Sequence, residues 1–389
     1  MGWVNQLLPF CFFTLLLLSA CRTDDIIIYA EEENTGGKSV KSEVVGMYLL
    51  NEGNMGSNKC TLDYLDLSAA DSTIHYYRNI FAERNPSEVK ELGDVGNDIQ
   101  IYGSRLWLVI NCSNKVEVCR ASDAVKIGKV NIPNCRYVTF DGGYAYVSSY
   151  VGPISAGSNA PRGMVYKVDT LTLQKVDSVV VGYQPEEMVA YRGKLYVANS
   201  GGYNFPNYDS TISQVNLQTM REECQINVAL NLHHLRLDHY GQLWVSSRGD
   251  YYDIPSNLYC LKADANGQMK VTAQMDVEVS DMCLVGDSLY YYGVGFNEVT
   301  QQNSRSFGII DVSQHRVVSR SLSDAPELQK MRMPYGIIVH PQNRDFYLMD
   351  AKNYVSSGEL LHFHADGSFD YKVRTGDIPA HAAFLMKLR

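Results

Sequence analysis

One alternation of apolar and polar positions recurs along the chain: a short apolar strand, a tight turn, then a second strand carrying an aromatic. It reads DIQIYGSRLWLVI around Trp107, YVTFDGGYAYVSS around Tyr146 and MVAYRGKLYVANS around Tyr196. It returns as LRLDHYGQLWVSS around Trp244, MCLVGDSLYYYGV around Tyr290 and IIVHPQNRDFYLMD around Tyr347. Successive aromatics lie 39, 50, 48, 46 and 57 residues apart. That spacing matches the ~40–50-residue period of a four-stranded propeller blade with insertions. The turns Tyr102-Gly103-Ser104, Asp141-Gly142-Gly143 and Arg192-Gly193-Lys194 have the glycine-containing chemistry of tight hairpins.

The two ends of this pattern complement each other. GMYLLNEG, from Gly46 to Gly53, reads as a second strand that lacks its first, and PAHAAFL, from Pro379 to Leu385, as a first strand that lacks its second. Joining them completes one more blade and removes an open sheet edge. A duplicated β-sandwich would use similar hairpins. The expected fold is nevertheless all-β: a seven-bladed β-propeller over residues 44–389, closed by pairing of N-terminal and C-terminal strands in one blade.

The amino terminus follows a different pattern. Residues 1–20 carry no charged side chain, and the apolar run from Leu7 to Leu18 is broken only by Thr14. Such a run is too short to span a bilayer and suits the apolar core of a signal peptide. It ends in Leu18-Ser19-Ala20-Cys21, which resembles a bacterial lipobox, with Cys21 as the lipidated residue. Arg22-Thr23-Asp24-Asp25 then resembles the acidic surface-export signal of Bacteroides-type lipoproteins. The division expected is a signal peptide over 1–20, lipidated Cys21 with a flexible tether over 21–43, and the propeller beyond. The polar stretch from Glu31 to Lys41 belongs to that tether. The expected location is the outer membrane, cell-surface exposed and lipid-anchored.

Composition narrows the partners. Lys and Arg number 34 against 43 Asp and Glu, a formal net charge of −9. So acidic a protein has no general attraction for phosphate backbones, which argues against nucleic acid as a partner. Tyr is abundant at 27, against 12 Phe and 3 Trp, and its stiff amphipathic ring suits binding surfaces.

The connections after each second strand are long and emerge on one face, where binding is usually built on a regular scaffold. Tyr150, Tyr203, Phe205, Tyr251, Tyr252, Phe296 and Tyr354 supply aromatic area there, and Asn54 and Arg248 supply directional polar groups. Asn97, Arg136, Tyr183, Glu186, His233, Tyr335 and His381 lie near the openings of first strands and so near the central funnel. Together these are the candidate ligand-binding residues. They suit a large, neutral ligand bearing amides or hydroxyls. Any one of the loop residues can equally be a turn former.

The chain contains no G-x-S-x-G, H-E-x-x-H, P-loop or C-x-x-C motif. Beyond Cys11 and Cys21, seven cysteines are scattered; a bridge between Cys112 and Cys135, in adjacent blades, is conceivable, and buried free thiols are the general expectation. His362 and His364 flank Phe363 and share one side of a strand, but no third donor stands near them in sequence, so no metal site is assigned. Glu186 and Glu187 are neighbours in a strand and are expected to face opposite ways. Glu186 is read as a ligand contact, with no catalytic residue, cofactor or metal assigned.

The propeller repeats, YVANSGG among them, and the opening LLNEGNMGSNKCTLDYLDL behind a lipobox resemble the YncE-like surface-lipoprotein propellers of Bacteroides. Within these the chain is similar to the BtuG-type cobalamin-binding proteins, over residues 21–389. The resemblance implies a non-enzymatic lipoprotein that binds cobalamin or a related corrinoid on its loop-rich face. It further implies delivery of that ligand to a BtuB-like TonB-dependent transporter. Three other readings stand beside it: a glycan-binding partner of a SusC/SusD-like system, an adhesive or structural surface protein whose Tyr-rich loops meet another protein, and a propeller lactonase or lyase. The last would draw on Glu186, His233, Asp281 and His381.

Overall fold

The computed structural model describes residues 27–38, 43–68, 73–152, 160–297 and 302–387. Seven antiparallel sheets are arranged as blades. The innermost strands of the first six, in chain order, are Gly96–Tyr102, Cys135–Asp141, Pro185–Tyr191, Leu232–Leu237, Asp281–Val285 and Pro334–Val339. Each is followed outward by three further strands.

The hairpins form where the turn chemistry places them. Tyr191 pairs with Lys194 across a two-residue loop in which Arg192 has φ 47° and Gly193 φ 74°. Two successive positive φ values make the turn whose twist matches the flanking strands. Apolar side chains from facing sheets then interdigitate in seven seams, one between each neighbouring pair of blades. Trp107 of the first blade, for example, is fully buried against Val138, Ala145 and Val147 of the second. Burial at ~25 cal/mol per Å2 of apolar area supplies the main stabilisation of such seams.

The ring closes as expected. Pro379–Met386 is the innermost strand of the seventh blade and pairs with Val44–Asn51, in register Met47 to Phe384 and Leu49 to Ala382. Thr61–Asp66 and Thr73–Arg78 complete the blade outward.

Two expectations need correction. Glu31–Lys38 is no tether: it adds a fifth strand outside Thr73–Arg78, with Glu31 opposite Arg78. Its sequence, EEENTGGK, has little intrinsic strand preference. Charge complementarity on the free edge compensates. Arg78 reaches Glu31 at 2.8 Å and Glu33 at 2.6 Å, and His75 lies 2.8 Å from Glu32. Cys112 and Cys135 are not bridged; all seven described cysteines are free thiols. The Cys135 thiol instead faces the carbonyls of Lys115 and Ile110, at 3.3 and 3.6 Å. The signal peptide and Cys21 lie outside the described residues. Among the described residues no helix is long and apolar enough to cross a membrane.

Candidate functional site

A single backbone device builds the funnel. Where the innermost strand begins, six of the seven blades carry one extra residue relative to the neighbouring strand. The shifts fall at Gly96/Asp98, Cys135/Val138, Pro185/Met188, Leu232/Leu235, Pro334/Gly336 and Pro379/His381. Such a bulge re-aims side chains that strict alternation would send to opposite faces. Asn97-Asp98, Arg136-Tyr137, Glu186-Glu187 and His233-His234 are therefore consecutive pairs that both take part in the buried network around the funnel. Glu186 reaches Arg136 and Tyr150 of the second blade, whereas Glu187 reaches His234, Leu235 and Arg236 of the fourth, so the two neighbours engage separate partners.

Three polar groups, buried or half-buried, make the floor. In the first, Glu186 accepts from Tyr150 Oη at 2.6 Å and pairs with Arg136 at 3.1 Å and Arg248 at 3.3 Å. Arg136 also lies over the Tyr150 ring, 4.9 Å from its centre. Burial pushes the Glu186 carboxyl up, but the two guanidinium groups outweigh it and hold the acid below its ordinary value. In the second, Glu187 pairs with Arg236 and His234 and accepts from the Leu235 amide at 2.7 Å. Asp281 faces the same Arg236 and His234, at 3.5 and 3.6 Å. In the third, Glu52 meets His381 Nε2 at 3.3 Å and accepts from Tyr335 Oη at 3.1 Å. Burial works against protonation of His381, yet Glu52 raises its pKa above the usual value.

Between these groups, Tyr137 Oη and His233 Nε2 share a hydrogen bond at 2.9 Å. Burial, reinforced by Arg248, keeps the His233 imidazole well below its usual pKa and hence neutral at pH 7. Asn97 donates to the Arg136 carbonyl at 2.7 Å. Burial raises the neighbouring Asp98 carboxyl to about 6.

Above this floor opens a cavity of about 690 Å3. Nine of the expected binding residues line it: Asn97, Arg136, His233, Arg248, Tyr251, Tyr252, Tyr335, Tyr354 and His381. Tyr251 and Tyr252 are 59% and 69% exposed at the mouth. Behind them Phe205 lies 6.3 Å from Tyr252 and Tyr208 lies 6.4 Å from Tyr251, ring centre to ring centre. The loops of the third and fourth blades thus present a continuous aromatic wall.

The other expected residues fall elsewhere. Tyr150 and Glu186 belong to the first polar group without lining the cavity. Tyr203 and Phe205 are exposed on the rim without lining the cavity. Asn54 belongs to a turn, its carbonyl accepting from the Ser57 amide at 2.9 Å. Tyr183 ends the outermost strand of the second blade, Lys175–Tyr183, opposite Arg162, and does not line the cavity. The Phe296 side chain lies outside the described residues. Sequence reasoning missed Glu52, Tyr137 and His234 as parts of the site. The only local signal for the last two was a second polar or aromatic residue at the start of an inner strand.

Of Glu186, His233, Asp281 and His381, the last three line this cavity and Glu186 does not. Each is engaged by different neighbours: the two arginines, Tyr137, the His234–Arg236 pair, and Glu52 respectively.

No family model and no curated protein matches the sequence. Solved structures do resemble it. Hydrazine synthase from Kuenenia stuttgartiensis aligns with TM-score 0.59 at 16% identity, over 74% of this chain and 88% of that one. A putative 6-phosphogluconolactonase from Bacteroides uniformis aligns with TM-score 0.58 at 10% identity, over 88% of this chain and 100% of that one. A protein from Lactobacillus plantarum aligns with TM-score 0.57 at 12% identity, over 88% and 99%. At these identities the likeness is one of fold, and what this chain has in common with these proteins is its propeller architecture.

Proposed function

We propose that this protein is a surface lipoprotein that captures cobalamin or a related corrinoid in the funnel mouth and passes it to a TonB-dependent outer-membrane transporter. The observation that carries this reading is the pairing of a charge-compensated polar floor with an exposed aromatic wall. Arg136, Arg236 and Arg248 are set against Glu186, Glu187 and Asp281, so the floor offers hydrogen-bonding groups with little uncompensated charge. A corrin is a broad disc edged with carboxamides. Its edge suits Asn97, Arg248 and His233, and its apolar faces suit Tyr251, Tyr252 and Tyr354. A site carried on rigid strands and bulges loses little ordering entropy when it binds.

The placement of Glu31–Lys38 supports delivery. That strand starts at the loop-rich end of the blade, where Ile28 lies beside Asn58, Lys59 and Asp377. Ile27 stands only six positions beyond Cys21, a reach of roughly 20 Å even fully extended. A lipid on Cys21 would hold the funnel mouth towards the membrane at high effective concentration for a transporter beneath it.

Calorimetric titration of the full chain with cyanocobalamin tests the reading. A saturable one-to-one transition is expected; flat heats at micromolar protein would remove corrinoids as the ligand. Exposed Tyr251 and Tyr252 also suit stacking on sugars, and binding on a glycan array without any corrinoid response would select that reading instead.

A further inference from the structure

At the opposite end of the sixth blade from the funnel, His362, His364 and Asp345 come together. His362 belongs to the third strand, Ser357–Phe363, and His364 to the turn that follows it. Asp345 arrives from the hairpin before Phe346–Asp350. One ligand atom from each lies within 4.8 Å of the others. Asp345 Oδ2 is 3.5 Å from His362 Nε2 and 3.6 Å from His364 Nδ1. Bonds of ~2.0–2.1 Å to a tetrahedral ion put ligand atoms about 3.3 Å apart, so a small inward movement would seat one.

Two further features point the same way. His362 is 4% exposed, yet its Nε2 has no hydrogen-bond partner. Its other nitrogen, Nδ1, lies 3.1 Å from Asp370 Oδ2. A carboxylate accepting from Nδ1–H fixes the tautomer that leaves an Nε2 lone pair free, the arrangement that orients metal-binding histidines. The ring itself is held by Tyr347, stacked at 4.5 Å, and Tyr371 at 4.8 Å. Asp345 is oriented by the Ala365 amide at 3.0 Å and Asn343 Nδ2 at 2.9 Å. His364 is 46% exposed, which leaves the fourth corner accessible to water.

The geometry points to a divalent transition-metal site of the zinc class, with Asp345, His362 and His364 as ligands and Asp370 as the positioning residue for His362. The ion would tie the first hairpin of the blade to its third strand and the turn beyond, on the face away from the funnel.

The test is chelator treatment of the full chain, then dialysis against Zn2+ alone, with the metal content per chain measured. Co2+ substitution then reads coordination from its visible absorption. One equivalent is expected in the wild type, with tetrahedral Co2+ bands. His364→Ala, at a half-exposed position that leaves the core intact, should lose that equivalent while keeping the native circular dichroism. Asp370→Asn should keep the stoichiometry and weaken affinity by ~10–100-fold. The proposal is overturned if the wild type takes up no Zn2+, or if His364→Ala and Asp345→Asn retain the wild-type equivalent. Either result would leave an ion-pair cluster only.

Discussion

Arg136 and Glu186 stand fifty positions apart on neighbouring blades, yet their side chains meet at 3.1 Å with Glu186 only 1% exposed. The contact exists because each residue occupies a bulge at the start of its inner strand. Arg248 and Tyr150 complete the shell around the same carboxylate, so one acid is shared between two guanidinium groups.

Removing that acid should be costly. Glu186→Gln leaves Arg136 and Arg248 facing each other across a desolvated floor, and a stability loss of ~3–5 kcal/mol is expected for a broken buried pair. Urea unfolding followed by tryptophan fluorescence measures it. A loss below ~1 kcal/mol would mean that water already screens the network.

Acid should weaken the fold in a defined window. Burial raises the Glu187 carboxyl, but Arg236 and His234 outweigh it and bring the pKa down to about 2. An unfolded Glu titrates near ~4.3. A depressed acid contributes stability that is fully present above the unfolded value and is lost as pH falls towards the folded one. Urea midpoints should therefore drop between about pH 4.5 and 2. Glu187→Gln, less stable at neutral pH, should show a flatter profile there; an identical slope in both proteins would assign the acid response to other groups.

For the ligand, the double substitution Tyr251→Ala and Tyr252→Ala removes the most exposed part of the aromatic wall. Affinity for cyanocobalamin should fall at least ~30-fold, about 2 kcal/mol, the size expected of central aromatic anchors. The melting temperature should hardly change, because both rings are exposed. Tyr203→Ala, on the rim but outside the cavity, should cost much less. Equal effects from both variants would place the ligand outside the funnel.

Amide hydrogen exchange distinguishes a strand from a tether at Glu31–Lys38. Paired amides in that segment should be protected, and Arg78→Ala should speed their exchange by removing the pairs to Glu31 and Glu33. Exchange at unstructured rates in the wild type would contradict the fifth strand.

By itself the sequence determined the repeat, the hairpins and the closure of the ring. Alternation and turn residues act over a few positions, so Trp107, Arg192-Gly193 and the unmatched Met47 and Phe384 segments all announce their places locally. It also marked most of the mouth, since Tyr251, Tyr252 and Tyr354 lie in loops that any regular propeller sends to one face. Tertiary structure alone decided the rest. One inserted residue at the start of these inner strands interrupts the period of two, so Tyr137 and His234 were not legible as site residues, and Glu187 meets Arg236 and His234 only once the fourth blade packs beside the third. The polar Glu31–Lys38 becomes a strand only because Arg78 and His75 wait on an open edge. Asp345 joins His362 because a hairpin brings it alongside from another strand. Contacts of this kind depend on the shape of the assembled sheets, and local periodicity carries no record of them.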